Sequence, residues 1–492
     1  MNPVVVVGID GGSWFAIEEL WQRGRLPHFR ALAERGATAY LKPISSKSPV
    51  IWTSMATGVR PERHGIADFI IPTPNGDVPV SSTLRRVPAI WNMASMVNRT
   101  VAVLGWWATW PAERVNGVVA SDRATRGVDR AYFPPEFEHR FQQLVEADQD
   151  SDDSPPPDSI SRQDRALAAA ASHLVTEPFD LLMVYFRSVD GESHRYWAYF
   201  LPRHHTDPDP ADVERYGERV PAVYESFDRF LGELVANADP KTNFFVLSDH
   251  GFRAFRNKKY TLQIQLDRVL EHLGYLEKRQ GEVDWSTSRA ISWKSTWNPV
   301  NLVRFGLRNR EPYGPVEPEE RDRLRDELAK DLAEVTFEGG EPAFWVRDPN
   351  PRELERGGDL AVVVSNQGTT TSLLVRGEKL RGVISSMQEI TGTHDAHTRG
   401  FFIAAGPDID PAAEIDTVHA LDITPTLLYA MSLPIAQDFD GRPQLDLFRD
   451  EFRRQHPVQT IPTWGTLEPG DATTSSVDKE LLDELRALGY LQ

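Results

Sequence analysis

Short apolar runs, each too brief for a helix and each followed by a turn, constrain this chain most. Val4–Ile9 reads Val-Val-Val-Val-Gly-Ile and stops at Asp10-Gly11-Gly12. A β-branched run of that length, ended by glycines, reads as a buried strand. Comparable runs recur at Thr100–Gly105, Asp180–Phe186, Asn243–Ser248 and Gly400–Ala405. Helical patterns lie between them, at Leu26–Arg35, Arg162–Val175 and Val220–Asn237. Strands that alternate with helices predict an α/β fold with a mostly parallel central sheet and helices on both faces. In such sheets functional groups collect past the C-terminal ends of the strands.

Two segments break the rhythm. Ala147–Ser161 is acidic and contains Pro155-Pro156-Pro157, which reads as an exposed loop. Residues 253–389 mix Trp-rich, charged and β-rich stretches without βα alternation, and are expected to form an inserted cap subdomain. The catalytic core is then 1–252 with 390–450. Residues 451–492 form a tail whose last part, Ser476–Gln492, is an amphipathic helix carrying Leu481, Leu482, Leu485 and Leu488. Docking of that helix on the body is the expectation.

Composition excludes several functions. Lys plus Arg is 54 against 72 for Asp plus Glu, a formal charge of −18. Binding of a nucleic-acid polymer needs clustered cations and is not expected. Cysteine is absent, which removes disulfides, thiolate metal sites and a Cys nucleophile. The N-terminus has no basic region or cleavage site, and no run of about 20 apolar residues occurs. A cytoplasmic protein without membrane attachment is expected, and its oligomeric state is left open.

Residues able to bind metals stand at the ends of the predicted strands. Asp10 closes the first. Tyr185-Phe-Arg-Ser-Val-Asp190-Gly-Glu-Ser-His194 follows the third, and Ser248-Asp249-His250-Gly251 the fourth. Gly392-Thr-His394-Asp-Ala-His397 precedes the last. Singly, each has an ordinary explanation: Asp caps helices and turns, and Asp190 with His194 could be a surface pair. Together, at the strand ends of one topology, they suggest a site. Mixed carboxylate and imidazole donors suit Zn²⁺, Mn²⁺ or Fe²⁺ better than Ca²⁺.

The segment Lys47-Ser48-Pro-Val-Ile-Trp-Thr-Ser-Met-Ala-Thr57-Gly58-Val-Arg-Pro61-Glu-Arg-His64-Gly65-Ile66 resembles the alkaline phosphatase superfamily, in its type I phosphodiesterase/nucleotide pyrophosphatase branch. Members carry a Thr or Ser ten residues before the Gly of a Thr-Gly-x-x-Pro-x-x-His-Gly-Ile signature. That register selects Ser48 and leaves Thr53 and Ser54 to helix packing. The resemblance covers roughly residues 3–252 and 390–445, and implies an alkaline phosphatase-like core. It also implies a ligand set. Asp10, Ser48, Asp249 and His250 look like one metal site; Asp190, His194 and His394 look like the other. His64-Gly65-Ile66, Asp422–Thr426 and Asp440-Gly441-Arg442 look structural, and His397 is a spare histidine.

Two departures narrow the reading. Ser48-Pro-Val-Ile-Trp lacks the C/S-x-P-S-R context that sulfatases need. Many nucleotide pyrophosphatases place an Asn after His-Gly-Ile to hold a phosphate oxygen, whereas Ala67-Asp68-Phe69 stands here. Asp68 is therefore a candidate substrate contact of uncertain sign. Trp106, Trp107 and Trp110 could stack on a base or sugar, with core packing as the alternative. Trp285, Trp293 and Trp297 could line a cap or simply pack within it.

The expected function is a two-metal phosphoesterase, with two divalent ions, Zn²⁺ or Mn²⁺, acting on a small organic phosphate. A phosphodiester or pyrophosphate, nucleotide included, would be cleaved through a phosphoserine on Ser48. A phosphomonoesterase or phosphomutase on the same core is one alternative. A non-catalytic binding protein that keeps the fold is another.

Overall fold

The computed structural model describes residues 2–73, 76–149, 160–205, 208–279, 281–296, 300–311, 313–350, 353–354, 357–365, 372–487 and 490. Most of the acidic Pro-rich segment, Trp297 and Leu488 lie outside the described residues.

A nine-stranded sheet organises the first of two compact units. In chain order its strands are β1 (Val4–Ile9), β2 (Ala37–Lys42), β3 (Val101–Leu104), β4 (Gly117–Ala120), β5 (Tyr132–Phe133), β6 (Leu181–Phe186), β7 (Asn243–Leu247), β8 (Gly400–Ala405) and β9 (Thr417–His419). Across the sheet they run β9-β2-β8-β7-β1-β6-β3-β4-β5. β1 sits between β7 and β6 and is parallel to both. Only β8 and β5 run against the rest. The predicted α/β class, a mostly parallel sheet, is what the chain adopts.

The alternation of side chains along the strands divides the interior into two cores. On one face Val5, Val7, Ile9, Val184, Phe186, Val246 and Ile403 meet the helices Trp14–Gln22, Pro27–Glu34, Arg162–Leu174 and Arg219–Asn237. On the other face Val4, Val6, Met183, Phe245, Leu247 and Phe402 meet the helices Ser48–Thr57, Ile90–Met96 and Ile423–Ala430. Both faces of β1, β6 and β7 are thus covered, so these strands read as continuous apolar runs rather than alternating ones.

The second unit comprises Pro74–Gly76, Asn257–Ile390 and Lys479–Gln492. It has its own antiparallel sheet, ordered Ala290–Thr296, Val300–Phe305, Leu360–Val364, Phe344–Arg347. Its core joins Val303, Phe305 and Val362 to Leu270 and Leu273 of the helix Leu266–Leu273, and to Leu324, Leu328 and Leu332 of the helix Arg321–Ala333. Trp285 and Trp293 pack against this core. Trp293 also carries the Arg304 guanidinium 4.2 Å over its ring. Among the described residues, no helix is long and apolar enough to cross a membrane.

One close approach joins strand and helix under the site. A Cβ built on Gly8 would lie 2.7 Å from the Trp52 ring. Trp52, fully buried on the helix Ser48–Thr57, can lie over β1 only because residue 8 has no side chain. Gly8→Ala should therefore displace the ring and destabilise the protein by about 1–3 kcal/mol, the usual range for overpacking. Urea unfolding of parent and variant measures the difference.

Candidate active site

Strand order and direction assemble the site. Asp10 directly follows β1, and Asp249 and His250 directly follow β7, its neighbour. β6, the other neighbour, leads into the helix Ser188–Phe200, whose early turns carry Asp190 and His194. His394 directly follows the strand Ile384–Thr393, which is not part of the nine-stranded sheet, and comes shortly before β8. Because β8 is antiparallel to β7, its start lies at the same edge as the ends of the parallel strands. One reversed strand thus brings His394 to the same place.

The side chains form two groups. Asp10, Asp249 and His250 each offer one ligand atom, all within 4.8 Å of one another; so do Asp190, His194 and His394. Among the described residues these are the two groups that could hold a metal ion. His250 Nε2 lies 3.5 Å from Asp10 Oδ1, 3.4 Å from Asp249 Oδ2 and 4.0 Å from Asp190 Oδ1. Asp190 Oδ1 in turn lies 3.5 Å from His194 Nε2 and 3.9 Å from His394 Nε2. The His250 and His394 rings stack with centroids 3.5 Å apart. The two groups therefore form one continuous centre.

The residues fit divalent cations. Asp249 Oδ2 and His250 Nε2 are buried and have no hydrogen-bond partner, a costly state for polar atoms that a cation would end. His194 Nδ1 lies 3.1 Å from the Gly392 carbonyl and His250 Nδ1 3.1 Å from that of Gly251. A proton on Nδ1 satisfies each carbonyl and leaves Nε2 as the lone-pair donor, the arrangement metal-binding histidines use. Burial lowers His194 to about 3, and holds His394 well below its ordinary value, with the neighbouring His250 adding to both. Both rings are neutral and able to ligate. Burial, reinforced by the Asp10 charge, drives the Asp249 carboxyl well above the usual range. Two buried carboxylates side by side call for positive charge between them.

Ser48 opens the helix Ser48–Thr57, with Pro49 in the first turn where a missing N–H costs nothing. Its Oγ is buried and donates to Asp10 Oδ1 at 3.3 Å. The helix is pinned along its length. Thr424 Oγ1 donates to the Met55 carbonyl at 2.6 Å. The Gly58 carbonyl accepts from the Asp440 amide at 3.0 Å, and Asp440 Oδ2 accepts from the Arg60 amide. His64 Nδ1 accepts from the Ile66 amide, so Nε2 carries the proton and donates to Ser54 Oγ at 2.8 Å. Ser54 Oγ in turn donates a hydrogen bond to the Val50 carbonyl at 2.8 Å. The signature residues beyond Ser48 thus fix the helix that presents it.

Other candidates fall into place, some differently from expectation. Asp68 is ion-paired with Lys47, the residue before Ser48, at 2.7 Å. Its charge is balanced by a cation next to Ser48. Trp106 and Trp110 have no free face for a base or sugar and are corrected to packing residues. Trp106 is fully buried, donates to the Trp52 carbonyl at 3.2 Å and meets the Trp52 ring edge-on. Trp110 lies under the Arg123 guanidinium at 4.0 Å and donates to the Asp129 carbonyl. Only Trp107 of the three is partly exposed. His397 is exposed, and its amide donates to Asp395. Sequence reasoning missed Trp52 and Tyr185. Both donate to Asp10 Oδ2, at 3.0 and 2.5 Å. The spacing of Trp52, one helical turn past Ser48, was the available signal.

The type I phosphodiesterase/nucleotide pyrophosphatase family model matches residues 4–395. The match runs through the inserted segment, which the signature-based resemblance left out, and stops just after His394. Comparison with curated proteins returned no match. Among solved structures, murine ectonucleotide pyrophosphatase/phosphodiesterase 5 is similar at 17% identity and a TM-score of 0.49, covering 91% of this chain and 100% of that one. The human form gives the same values. Phosphonoacetate hydrolase from Sinorhizobium meliloti is 17% identical with a TM-score of 0.44, over 88% and 95% of the two chains.

The His64 contact has a measurable pH signature. Burial, with Arg85 nearby, lowers His64 to about 3 from an ordinary 6.5. The folded chain then binds fewer protons than the unfolded chain between these values. His64 therefore stabilises the fold fully above pH 6.5, and this contribution is lost as pH falls toward 3. His64→Asn should cost about 1–3 kcal/mol at pH 7 through lost buried hydrogen bonds. The gap between parent and variant should narrow steadily from pH 6.5 to pH 4 in denaturant titrations.

Proposed function

Because this chain belongs to the type I phosphodiesterase/nucleotide pyrophosphatase family, whose members hydrolyse phosphoric esters with bound metal, we propose that it cleaves a small organic phosphodiester or pyrophosphate through a phosphoserine on Ser48. The observation that carries this reading is the continuous Asp/His centre with the Ser48 hydroxyl 3.3 Å from Asp10 at its edge. Asp10, Asp249 and His250, with Ser48, would hold one divalent cation; Asp190, His194 and His394 would hold the other. Bound there, Zn²⁺ or Mn²⁺ would supply Lewis acidity, easing loss of the Ser48 proton and offsetting charge on the phosphoryl oxygens.

The chain's own groups do the rest. Ser48 would give up its Oγ proton by way of Asp10 Oδ1, Oγ would bond to phosphorus as the bond to the leaving oxygen breaks, and the leaving group would depart carrying that proton. A water would then add to phosphorus as the Oγ–P bond breaks, one of its protons returning to Ser48 Oγ and its oxygen leaving with the released phosphate. The N-terminus of the helix Ser48–Thr57 favours negative charge at its first residue. Lys47, held by Asp68, adds positive charge beside it. The family match and the two ligand groups count against the binding-only alternative.

The purified protein should contain close to two equivalents of transition metal by elemental analysis, and chelation should abolish turnover. Ser48→Ala should lower kcat about 10³-fold or more while metal content stays near that of the parent. The parent should turn over bis-p-nitrophenyl phosphate faster than p-nitrophenyl phosphate. The reverse order would favour the monoesterase or phosphomutase reading. An active, metal-free preparation would end the proposal.

A further inference from the structure

The two oxygens of Asp10 are treated differently. Oδ1 faces Ser48 Oγ at 3.3 Å and His250 Nε2 at 3.5 Å. Oδ2 accepts from two aromatic donors on buried side chains: Trp52 Nε1 at 3.0 Å and Tyr185 Oη at 2.5 Å. Tyr185 Oη itself accepts from Trp107 Nε1 at 2.7 Å. A phenol that accepts from an indole and donates to a carboxylate has its proton direction fixed. The hydrogen-bonded run is therefore Trp107 to Tyr185 to Asp10, and Trp52 is a second donor to the same Asp10 oxygen.

The rings are held as firmly as the polar atoms. Trp52, Trp106 and Tyr185 meet edge-to-face, with Trp52 to Tyr185 centroids 5.0 Å apart and Trp106 to Tyr185 6.4 Å apart. Gly8 leaves room for the Trp52 ring. Trp107 rests edge-on against Phe69 at 5.9 Å.

We infer that Tyr185 and Trp52 are positioning residues that clamp Oδ2 of Asp10, so that Oδ1 alone is presented to the cation, and that this clamp sets the metal affinity of the Asp10/Asp249/His250 group and not that of the other. The inference rests on the metal-centre reading above. Its physical basis is that a carboxylate free to turn can offer either or both oxygens, and the ordering must then be supplied on binding. Outer hydrogen bonds to a ligating carboxylate are worth roughly 10–100-fold in metal affinity.

The test is metal binding, read independently of turnover. Chelated full-length protein is titrated with Co²⁺ by calorimetry and visible absorption, for the parent, Tyr185→Phe and Trp107→Phe. The parent should bind two ions. Tyr185→Phe should weaken one of them about 10–100-fold, change its absorption band and leave the second unchanged. Trp107→Phe, which removes only the outermost donor, should weaken the same ion by a smaller factor, and it keeps the test decisive should Tyr185→Phe not fold. Two ions in the parent with equal or unchanged affinities in both variants would overturn the clamp and leave the metal-centre reading intact. No bound ion in the parent would overturn both.

Discussion

Two carboxylates buried side by side at the ends of adjacent strands are the constraint around which this molecule is arranged. Asp10 and Asp249 lie in surroundings that hydrophobic burial alone would forbid to charge. Each is held by donors from outside its own strand: Asp249 Oδ1 by the Gly11 amide at 3.2 Å, Asp10 by Ser48, Trp52 and Tyr185. Gly11 can serve only because it adopts φ +68° and leaves space where a Cβ would meet Phe252 and the Asp190 backbone within 3 Å. Helix, turn and two neighbouring strands are thus tied to one another through the oxygens of two side chains. The rigidity the chemistry requires and the cost of burying charge come from the same contacts.

Much of this was visible in the sequence. The apolar runs of β1, β6 and β7 were plain because both their faces are covered, and their ends carried Asp10, Asp190 and Asp249. Ser48 was read from the register of a long signature; in the fold the helix that begins with it is held by His64 on Ser54, Thr424 on Met55 and Asp440 on Arg60. What stayed hidden depends on strand direction and on contacts between distant residues. Nothing in Gly400–Ala405 says that it runs against its neighbours, the direction that puts its start, and the nearby His394, at the edge where the parallel strands end. Tyr185 and Asp10 are 175 residues apart, and a buried Tyr at the end of a strand looks like any other core residue. Trp106 and Trp110 show the opposite error. Three tryptophans after a strand suggest a binding wall, but two of them fill the core and only Trp107 reaches the surface.

Asp68 illustrates how pairing changes the meaning of a residue. In the sequence it was a negative charge where a phosphate holder was expected. In the fold it is the partner of Lys47. A partly exposed pair like this contributes little to stability. Its effect is on placement, since it keeps a flexible lysine beside Ser48 rather than extended into solvent.

The reversed direction of β8 also bears on how this chain tolerates change. The pairing of Phe402 with Leu247 and of Ile403 with Val246 pins both ends of the excursion that separates His250 from His394. Once those ends are fixed by the sheet, the entropy of closing the excursion grows only logarithmically with its length, by about 0.6 kcal/mol per doubling. Lineages could therefore lengthen, shorten or exchange this segment at small thermodynamic cost. The ladder between β7 and β8 makes the position between two residues of the candidate centre, which ought to be the most restricted in the chain, one of the most permissive for evolutionary insertion.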